Sequence, residues 1–504
     1  MVRYQNHLIL LGLPLIIFAP SFWLGHIPGD SSKYNVAWLA EFSDQLFSGV
    51  IYPRWLPGMN AGLGGADFYF YGPMPFYIGA PFTLIASEKM AVVLLSWCMC
   101  LLSGLAMYRF ARTHVGLHGG TLAAILYMVA PYHLILAIMT RNVIGEQAAF
   151  VFIPLALAFA DQLGKSPRTM IWLALAFAGL AYSHLVTTLL FSPLLVIYCL
   201  RRGVQAKGAR ILAEAVCAGI LGVLLTAAYV LPALTLDEML FPSFWDALKP
   251  AENFLFSKGG KLSDRVPNFR LILRLAAGAL LVITVSIILF LAITGRQRHL
   301  RFWGVVAACY ILLNFEISAP LWNAVGLFDR IQFPWRSLSI VELGAEMLAA
   351  YAIGPFSRRL TVLIGTLVLV TSTGLLTFGV VTYDRVQIMS YSEEVEEFAI
   401  TKRWGPQEYR PSCIAQSQLK AVNDNILQRS ATEDDQAKFA FEFLVGADGQ
   451  ALECDPQTGL IENYDAVKPV GVHRPSVEVW GNTLTLLALA LSLAGLIILR
   501  IRRT

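Results

Sequence analysis

The chain has 504 residues, 56% of them hydrophobic and 14% charged, with a formal net charge of +4 and a mean hydropathy of +0.60. Soluble domains carry about a quarter charged residues, so an ordinary soluble fold is excluded. So small a net charge implies no nucleic acid or other polyanion as partner.

In chain order the apolar runs predict about twelve transmembrane helices, each near the length that a hydrocarbon core of about 30 Å demands. They span 8–27, 90–110, 119–139, 146–163, 169–187, 189–200, 211–232, 271–294, 302–317, 338–356, 360–381 and 478–499. The first reads as an uncleaved helix, since no small-x-small site closes its apolar stretch. Basic residues mark every second connection: Arg3; Arg109 and Arg112; Lys165 and Arg168; Arg201, Arg202, Lys207 and Arg210; Arg296, Arg298 and Arg301; Arg358 and Arg359; Arg500, Arg502 and Arg503. The positive-inside rule places these in the cytoplasm, together with both termini. Residues 28–89, the turn from Arg141 to Glu146, 233–270 and 318–337 then face outward, and the spans are expected to be largely free of mid-helix charge.

Residues 384–477 are polar and long enough for a small, partly β outer domain, with FAFEFLV at 439–445, a turn at Gly446–Gly449, and acidic Glu393, Glu394, Glu396 and Glu397. The predicted organisation is a membrane core over 1–383, this domain over 384–477, and a last helix with a basic tail over 478–504. Cys98, Cys100, Cys199, Cys217 and Cys309 sit in or beside apolar spans and read as small core residues. Cys413 and Cys454 both fall in the outer stretch, where an oxidising compartment favours a disulfide over two free thiols. Neither a zinc spacing nor a phosphate-binding glycine loop is present, so no nucleotide-driven pump is indicated.

The first outer region carries the most information. Asp30 follows the first helix directly, and Ser31 and Ser32 can cap a second helix over 33–48. There Val36, Leu39, Phe42 and Leu46 share one face, with Glu41, Asp44, Gln45 and Ser48 opposite, until Gly49 ends it. That pattern predicts an amphipathic helix lying in the membrane interface. The run GVIYPRWLPGMNAGLGGADFYFYGPMPFY follows as a structured aromatic loop.

An Asp after the first helix, a juxtamembrane amphipathic helix and a multi-span core resemble the GT-C superfamily of lipid-linked-sugar glycosyltransferases. The loop wording, with RNVIGEQAAFVFIPLAL (141–157), YSHLVTTLL (182–190), YVLPAL (229–234), IQFPWRSL (331–338) and EYRP (408–411), resembles a bacterial membrane protein family labelled "6-pyruvoyl-tetrahydropterin synthase-related". The label itself does not suit the chain, because the soluble pterin enzyme needs a zinc-binding histidine set that this sequence lacks. A His is expected about four residues after the loop Asp, where this chain has Tyr34.

The resemblance implies a GT-C-like, inverting membrane glycosyltransferase in the bacterial inner membrane. It would move a sugar from a polyprenyl-phosphate donor to a glycan or lipid acceptor at the periplasmic face, among membrane lipids. Such transfer needs a base, cations for the leaving phosphate and a groove for the lipid. Asp30 is the candidate base or metal-orienting carboxylate; an Asp before a helix is also an ordinary cap. Arg141 and Glu146 share a short turn, where Arg141 can take a phosphate or form only a surface ion pair. His184 lies at the outer end of a span, as a functional or a structural histidine. Arg336 can bind phosphate or snorkel to headgroups, and Arg54 and Trp55 can hold a sugar or anchor at the interface. Asp67 and Asp329 are weaker candidates. Asp30 and Glu146 are the candidate ligands for a divalent cation such as Mg or Mn. The competing readings are a transporter or flippase, which would place charge mid-membrane, and a non-catalytic scaffold for envelope assembly.

Overall fold

The computed structural model describes residues 2–27, 29, 31–240, 249–255, 269–293, 297–353, 403–406, 409–414, 416–428, 438–441, 444–445, 450, 452–462 and 471–501. Asp30, the expected span at 360–381, the acidic run at 393–397 and the expected turn at 446–449 lie outside the described residues.

The fold is helical. Its longer elements are α1 (Val2–Leu24), α2 (Ser32–Phe47), α3 (Asp67–Phe70), α4 (Met74–Thr83), α5 (Glu88–Val129), α6 (Ile144–Ala160), α7 (Arg168–Ser183), α8 (Leu185–Ala206) and α9 (Ala209–Thr235). There follow α10 (Phe269–Ile293), α11 (Gln297–Leu312), α12 (Ala319–Ala324), α13 (Leu338–Ile353), α14 (Leu419–Gln428) and α15 (Ser476–Ile501). A π-helix, Pro131–Thr140, joins α5 to α6. By length and composition five described helices can cross a membrane, or six if one bent pair counts as a single span. Leu8–Leu24, Ile144–Ala160 and Arg168–Ser183 are apolar but shorter. The expected count of twelve is therefore not reached among the described residues.

Two of the differences have a local cause. The element from Glu88 to Thr140 is 53 residues long but turns back at Gly116, whose φ of 74° suits glycine. A Cβ on Gly120 would lie 2.8 Å from Arg112, and one on Gly104 would lie 2.4 Å from Met128. Those two close approaches are centred on Gly116, so the arms are antiparallel and match the predicted 90–110 and 119–139. The predicted 302–317 is instead bent by 91° between Phe302–Leu312 and Glu316–Ala324.

Two hydrophobic cores organise the molecule. One runs through the helices, with Phe18, Phe110, Phe150, Leu157, Leu338 and Met347 buried in it. The other sits on α2 and the loop that follows it and includes Trp38, Phe42, Phe68 and Phe76 together with Tyr409, Ile414, Phe439 and Ile461. The described part of 403–462 thus shares a core with the first loop. Its β structure among the described residues is a two-residue antiparallel pair, Leu444–Val445 (β1) with Gly471–Val472 (β2), and isolated bridges. Cys413 and Cys454 form a disulfide with a Cα–Cα distance of 6.5 Å.

The expectation for α2 needs correction. Residues Ser32, Asn35–Ser43 are buried on all sides, Glu41 included. Glu41 accepts from the Gly58 N–H at 2.9 Å and pairs with Arg403, so the polar face is covered by protein at Glu41, while Asp44 and Ser48 near the end of the helix stay exposed. Ser31 makes no side-chain cap; the Ser32 hydroxyl donates instead to the Ile27 carbonyl at 2.8 Å.

Candidate functional site

The site is built where the start of α2 meets the turn between the π-helix and α6. The Ser31 N–H donates to the Arg141 carbonyl at 3.0 Å. The Asn35 amide donates to the Asn142 carbonyl at 2.6 Å, and the Asn142 amide to Ser32 Oγ at 3.0 Å. Gln147 Nε2 donates to Asn142 Oδ1 at 3.0 Å. Asn142 holds a positive φ of 49°, which Asn tolerates better than most residues. Gly29 has a φ of 143°, and a Cβ there would lie 2.7 Å from the Arg141 carbonyl carbon. The residues on both sides of position 30 are therefore seated on Arg141–Asn142.

One carboxylate gathers the charged groups. Glu146, in the first turn of α6 and 2% exposed, accepts from Arg141 Nη1 at 3.2 Å on Oε1 and from the Tyr132 hydroxyl at 2.9 Å on Oε2. Arg336 Nε lies 3.6 Å from the same Oε1, beyond hydrogen-bond distance, and has no other bonded partner among the described residues. Arg336 Nη1 donates to the Ile331 carbonyl at 2.8 Å, and its guanidinium faces the Phe333 ring at 5.1 Å. Arg141 faces Trp335 at 5.1 Å. Aromatic faces orient guanidinium groups without consuming their hydrogen-bond donors. His184 breaks the chain between α7 and α8 with an extended backbone, and its Nδ1 accepts from the Thr187 N–H at 3.3 Å. A Cβ on Gly145 would lie 3.4 Å from the His184 ring and 3.4 Å from the Tyr71 hydroxyl, which places both beside Glu146. The structure thus brings Arg141, Glu146, His184 and Arg336 together, with the segment flanking Asp30 alongside.

A second polar centre lies in the loop after α2. Asp67 is fully buried; its Oδ1 accepts from Trp38 Nε1 at 2.8 Å, and its Oδ2 has no partner among the described residues. Burial pushes its pKa up to about 6, against the Trp38 hydrogen bond and the Arg410 charge that pull it down. Arg410 is fully buried and donates to Asn60 Oδ1 at 2.7 Å. Trp38 packs on Tyr71 with centroids 4.5 Å apart, linking this centre to the Glu146 cluster. Tyr34, at the position where a His is expected, lies 6.0 Å from the Trp38 ring. Burial pushes the Tyr71 hydroxyl well above the ordinary tyrosine range.

Arg54 and Trp55 lie elsewhere. Arg54 is buried and joins the loop to α15: it donates to Glu478 at 3.1 Å, to the Ala228 carbonyl at 2.7 Å and to Asn482 at 2.7 Å. The Tyr69 hydroxyl reaches the other Glu478 oxygen at 3.0 Å. Trp55 meets Phe441 edge-on at 5.6 Å. Asp329 is half-buried in the short helix Gly326–Ile331.

Glu146 by itself offers a divalent cation no open oxygen, and the other expected ligand, Asp30, lies outside the described residues. Both of its oxygens accept from donors and a second guanidinium faces it, whereas a hard cation needs several oxygen ligands. Among the described residues no group of three or more His, Cys, Asp or Glu is placed to hold a metal.

Several residues of the site were not singled out in the sequence. Asn142 and Gln147 lie inside RNVIGEQ, where polar residues within a tight turn were the available signal. Glu342 and Glu346 lie four apart inside the apolar run 338–356 and are buried, as is His133. They correct the expectation of spans largely free of mid-helix charge.

No family model matches the chain. A protein of Lactococcus lactis subsp. cremoris, described as uncharacterized, is 24% identical over 206 residues, 39% of this chain and 33% of that protein. Among solved structures, arabinofuranosyltransferase AftD from Mycobacteria aligns at TM-score 0.46 and 17% identity over 74% of this chain and 26% of that one. Its R1389S mutant aligns at 0.47 and 16%, over 75% and 28%. ArnT from Cupriavidus metallidurans bound to undecaprenyl phosphate aligns at 0.42 and 16%, over 84% and 73%. The matched stretch spans about a third of the Lactococcus protein, and the chain spans just over a quarter of AftD.

Proposed function

We propose that the protein is a GT-C-like inverting glycosyltransferase that takes its sugar from a polyprenyl-phosphate donor at the outer face of a bacterial inner membrane, with both termini in the cytoplasm. The observation that carries the reading is the convergence of Arg141 and Arg336 on Glu146 beside the segment that bears Asp30. Two guanidinium groups held on aromatic faces in a largely buried site suit a phosphate, which they can grip in bidentate fashion. Burial strengthens each such contact relative to water.

The step assigns one role to each group. Asp30 takes the proton of the acceptor hydroxyl, and the freed oxygen attacks the anomeric carbon. The bond from that carbon to the phosphate oxygen breaks with its electron pair on the phosphate. Arg141 and Arg336 stabilise the added charge as it forms. Glu146 holds the arginines in place, and the Tyr132 hydroxyl in turn holds Glu146. The acceptor is a glycan or lipid of the cell envelope.

The test is mass spectrometry of lipid-linked sugars and envelope glycans from cells with and without the protein. The reading expects one glycan to disappear and one polyprenyl-phosphate sugar to accumulate; unchanged profiles in both pools would count against it. A second reading, a transporter or flippase, gains from the buried Glu342, Glu346 and His133. It predicts solute or lipid flux in proteoliposomes without any sugar transfer.

A further inference from the structure

We propose that Glu342 and Glu346 form an intramembrane proton-binding site, with one exchangeable proton held on Glu346 beneath the outer arginine cluster. The site does not depend on the glycosyltransferase reading.

The two carboxylates sit one turn apart on α13, about 6 and 12 Å below its outer start at 1.5 Å per residue, and are 0% and 5% exposed. Their surroundings differ. Glu342 Oε2 accepts from the backbone N–H groups of Tyr132 and His133 at 3.2 and 3.3 Å. These belong to the first turn of the ten-residue π-helix, whose N–H groups have no partner within the helix. A negative carboxylate at a helix N-terminus is favourable, so Glu342, although its Oε1 has no partner among the described residues, is the better supported of the two.

Glu346 has neither kind of support. Neither of its oxygens is bonded, and neither nitrogen of His133 is bonded, among the described residues. His133 is fully buried and lies on the Phe150 ring with centroids 4.0 Å apart. Among the described residues the titratable groups that face the pair are Tyr132 and His133 from the π-helix, Tyr127 from α5 and Glu146 from α6. Tyr127 donates its hydroxyl to the Phe150 carbonyl at 3.1 Å, and Tyr132 donates its own to Glu146. None of these is a cation paired with Glu346. An ionised, unpaired carboxylate at this depth beside a second carboxylate is strongly unfavourable; a proton removes that cost. A metal ion needs a fuller set of ligands than two carboxylates.

The site reaches the outer face through one residue. Tyr132 is held by Glu342 at its N–H and by Glu146 at its hydroxyl. A change of protonation at the pair is therefore felt where Glu146 holds Arg141 and Arg336.

The test is infrared spectroscopy of the full chain in lipid nanodiscs at pH 8, where Asp67, with its pKa of about 6, is ionised. The proposal expects a protonated-carboxylic-acid carbonyl band that shifts in deuterium oxide and is lost in Glu346→Gln. Glu346→Leu, which replaces a neutral acid by an apolar side chain of similar size, is the second variant and is expected to fold and to lack the band. Three results would overturn the proposal: no such band in the wild type, a band that survives both substitutions, or a band abolished by sodium chloride but not by potassium chloride. The last would identify a sodium site. No arm uses a lipid-linked sugar, so failure here and failure of the transferase reading are distinguishable.

Discussion

Asp67→Asn is expected to stabilise the outer loop at neutral and alkaline pH. The folded carboxyl titrates at about 6 rather than its ordinary 3.8, because burial outweighs the Trp38 hydrogen bond and the Arg410 charge. The sign follows from proton binding. Between pH 4 and 6 the folded loop holds a proton that the opened loop has released, so stability falls as pH rises through that window. At about 1.4 kcal/mol per pH unit the displacement amounts to about 3 kcal/mol, fully expressed above pH 6. Asparagine keeps an oxygen for Trp38 Nε1 and carries no charge to desolvate. The assay is hydrogen exchange at the Gly65 and Phe439 amides, which bond to the Leu56 and Leu63 carbonyls, corrected for intrinsic rates and followed from pH 4 to 8. Wild-type opening free energy should fall by about 3 kcal/mol across the range, and the variant should be flat and better protected at pH 8. A variant less protected at pH 8, or with the wild-type slope intact, would refute the reasoning.

Arg54→Ala should cost about 3 kcal/mol, because the buried Glu478 then keeps only the Tyr69 hydroxyl and the exposed Arg474 at 3.8 Å, read as a lowered Tm in detergent; an unchanged Tm with a raised substrate KM would instead place Arg54 on the sugar. Replacing Cys413 and Cys454 by Ser should remove about 4 kcal/mol for a closed loop of 41 residues, seen as a lower midpoint in chemical denaturation; an unchanged midpoint would show that the bridge does not clamp the outer region. Gly72→Ala would put a Cβ 2.3 Å from the Ser183 carbonyl, costing at least about 1–3 kcal/mol and lowering folded yield by gel filtration; a normal yield would mean that the loop and the α7–α8 junction separate easily.

The membrane class was legible because apolar length and alternating basic loops are local signals. The break at Gly116 was legible for the same reason, as a short polar connection between two apolar runs. The burial of α2 was not. Its Glu41 looks solvent-facing until Gly58 and Arg403 cover it, and Arg403 lies 362 residues away. Arg54 likewise reads as a loop arginine, yet its partner Glu478 is 424 residues distant. At the candidate site the sequence offered Arg141 and Glu146 as a pair in one turn, with His184 and Arg336 as separate residues. Only the tertiary fold, through Asn35, Asn142 and Gln147, brings the chain beside Asp30 onto their turn. Glu342 and Glu346 stand in the sequence as two charges in an apolar run, but their burial against the π-helix depends on residues some 210 positions away.

The central claim is that the carboxylate after the first helix and the arginines on Glu146 act on a lipid-phosphate sugar. The direct measurement is single-turnover transfer from a radiolabelled polyprenyl-phosphate sugar by purified wild type, Asp30→Asn and Arg336→Gln in nanodiscs, with folding checked by Tm. Loss of transfer in Asp30→Asn with donor binding intact, and at least about 100-fold weaker transfer in Arg336→Gln, are the expected results. A folded Asp30→Asn protein that transfers sugar at the wild-type rate would contradict the account.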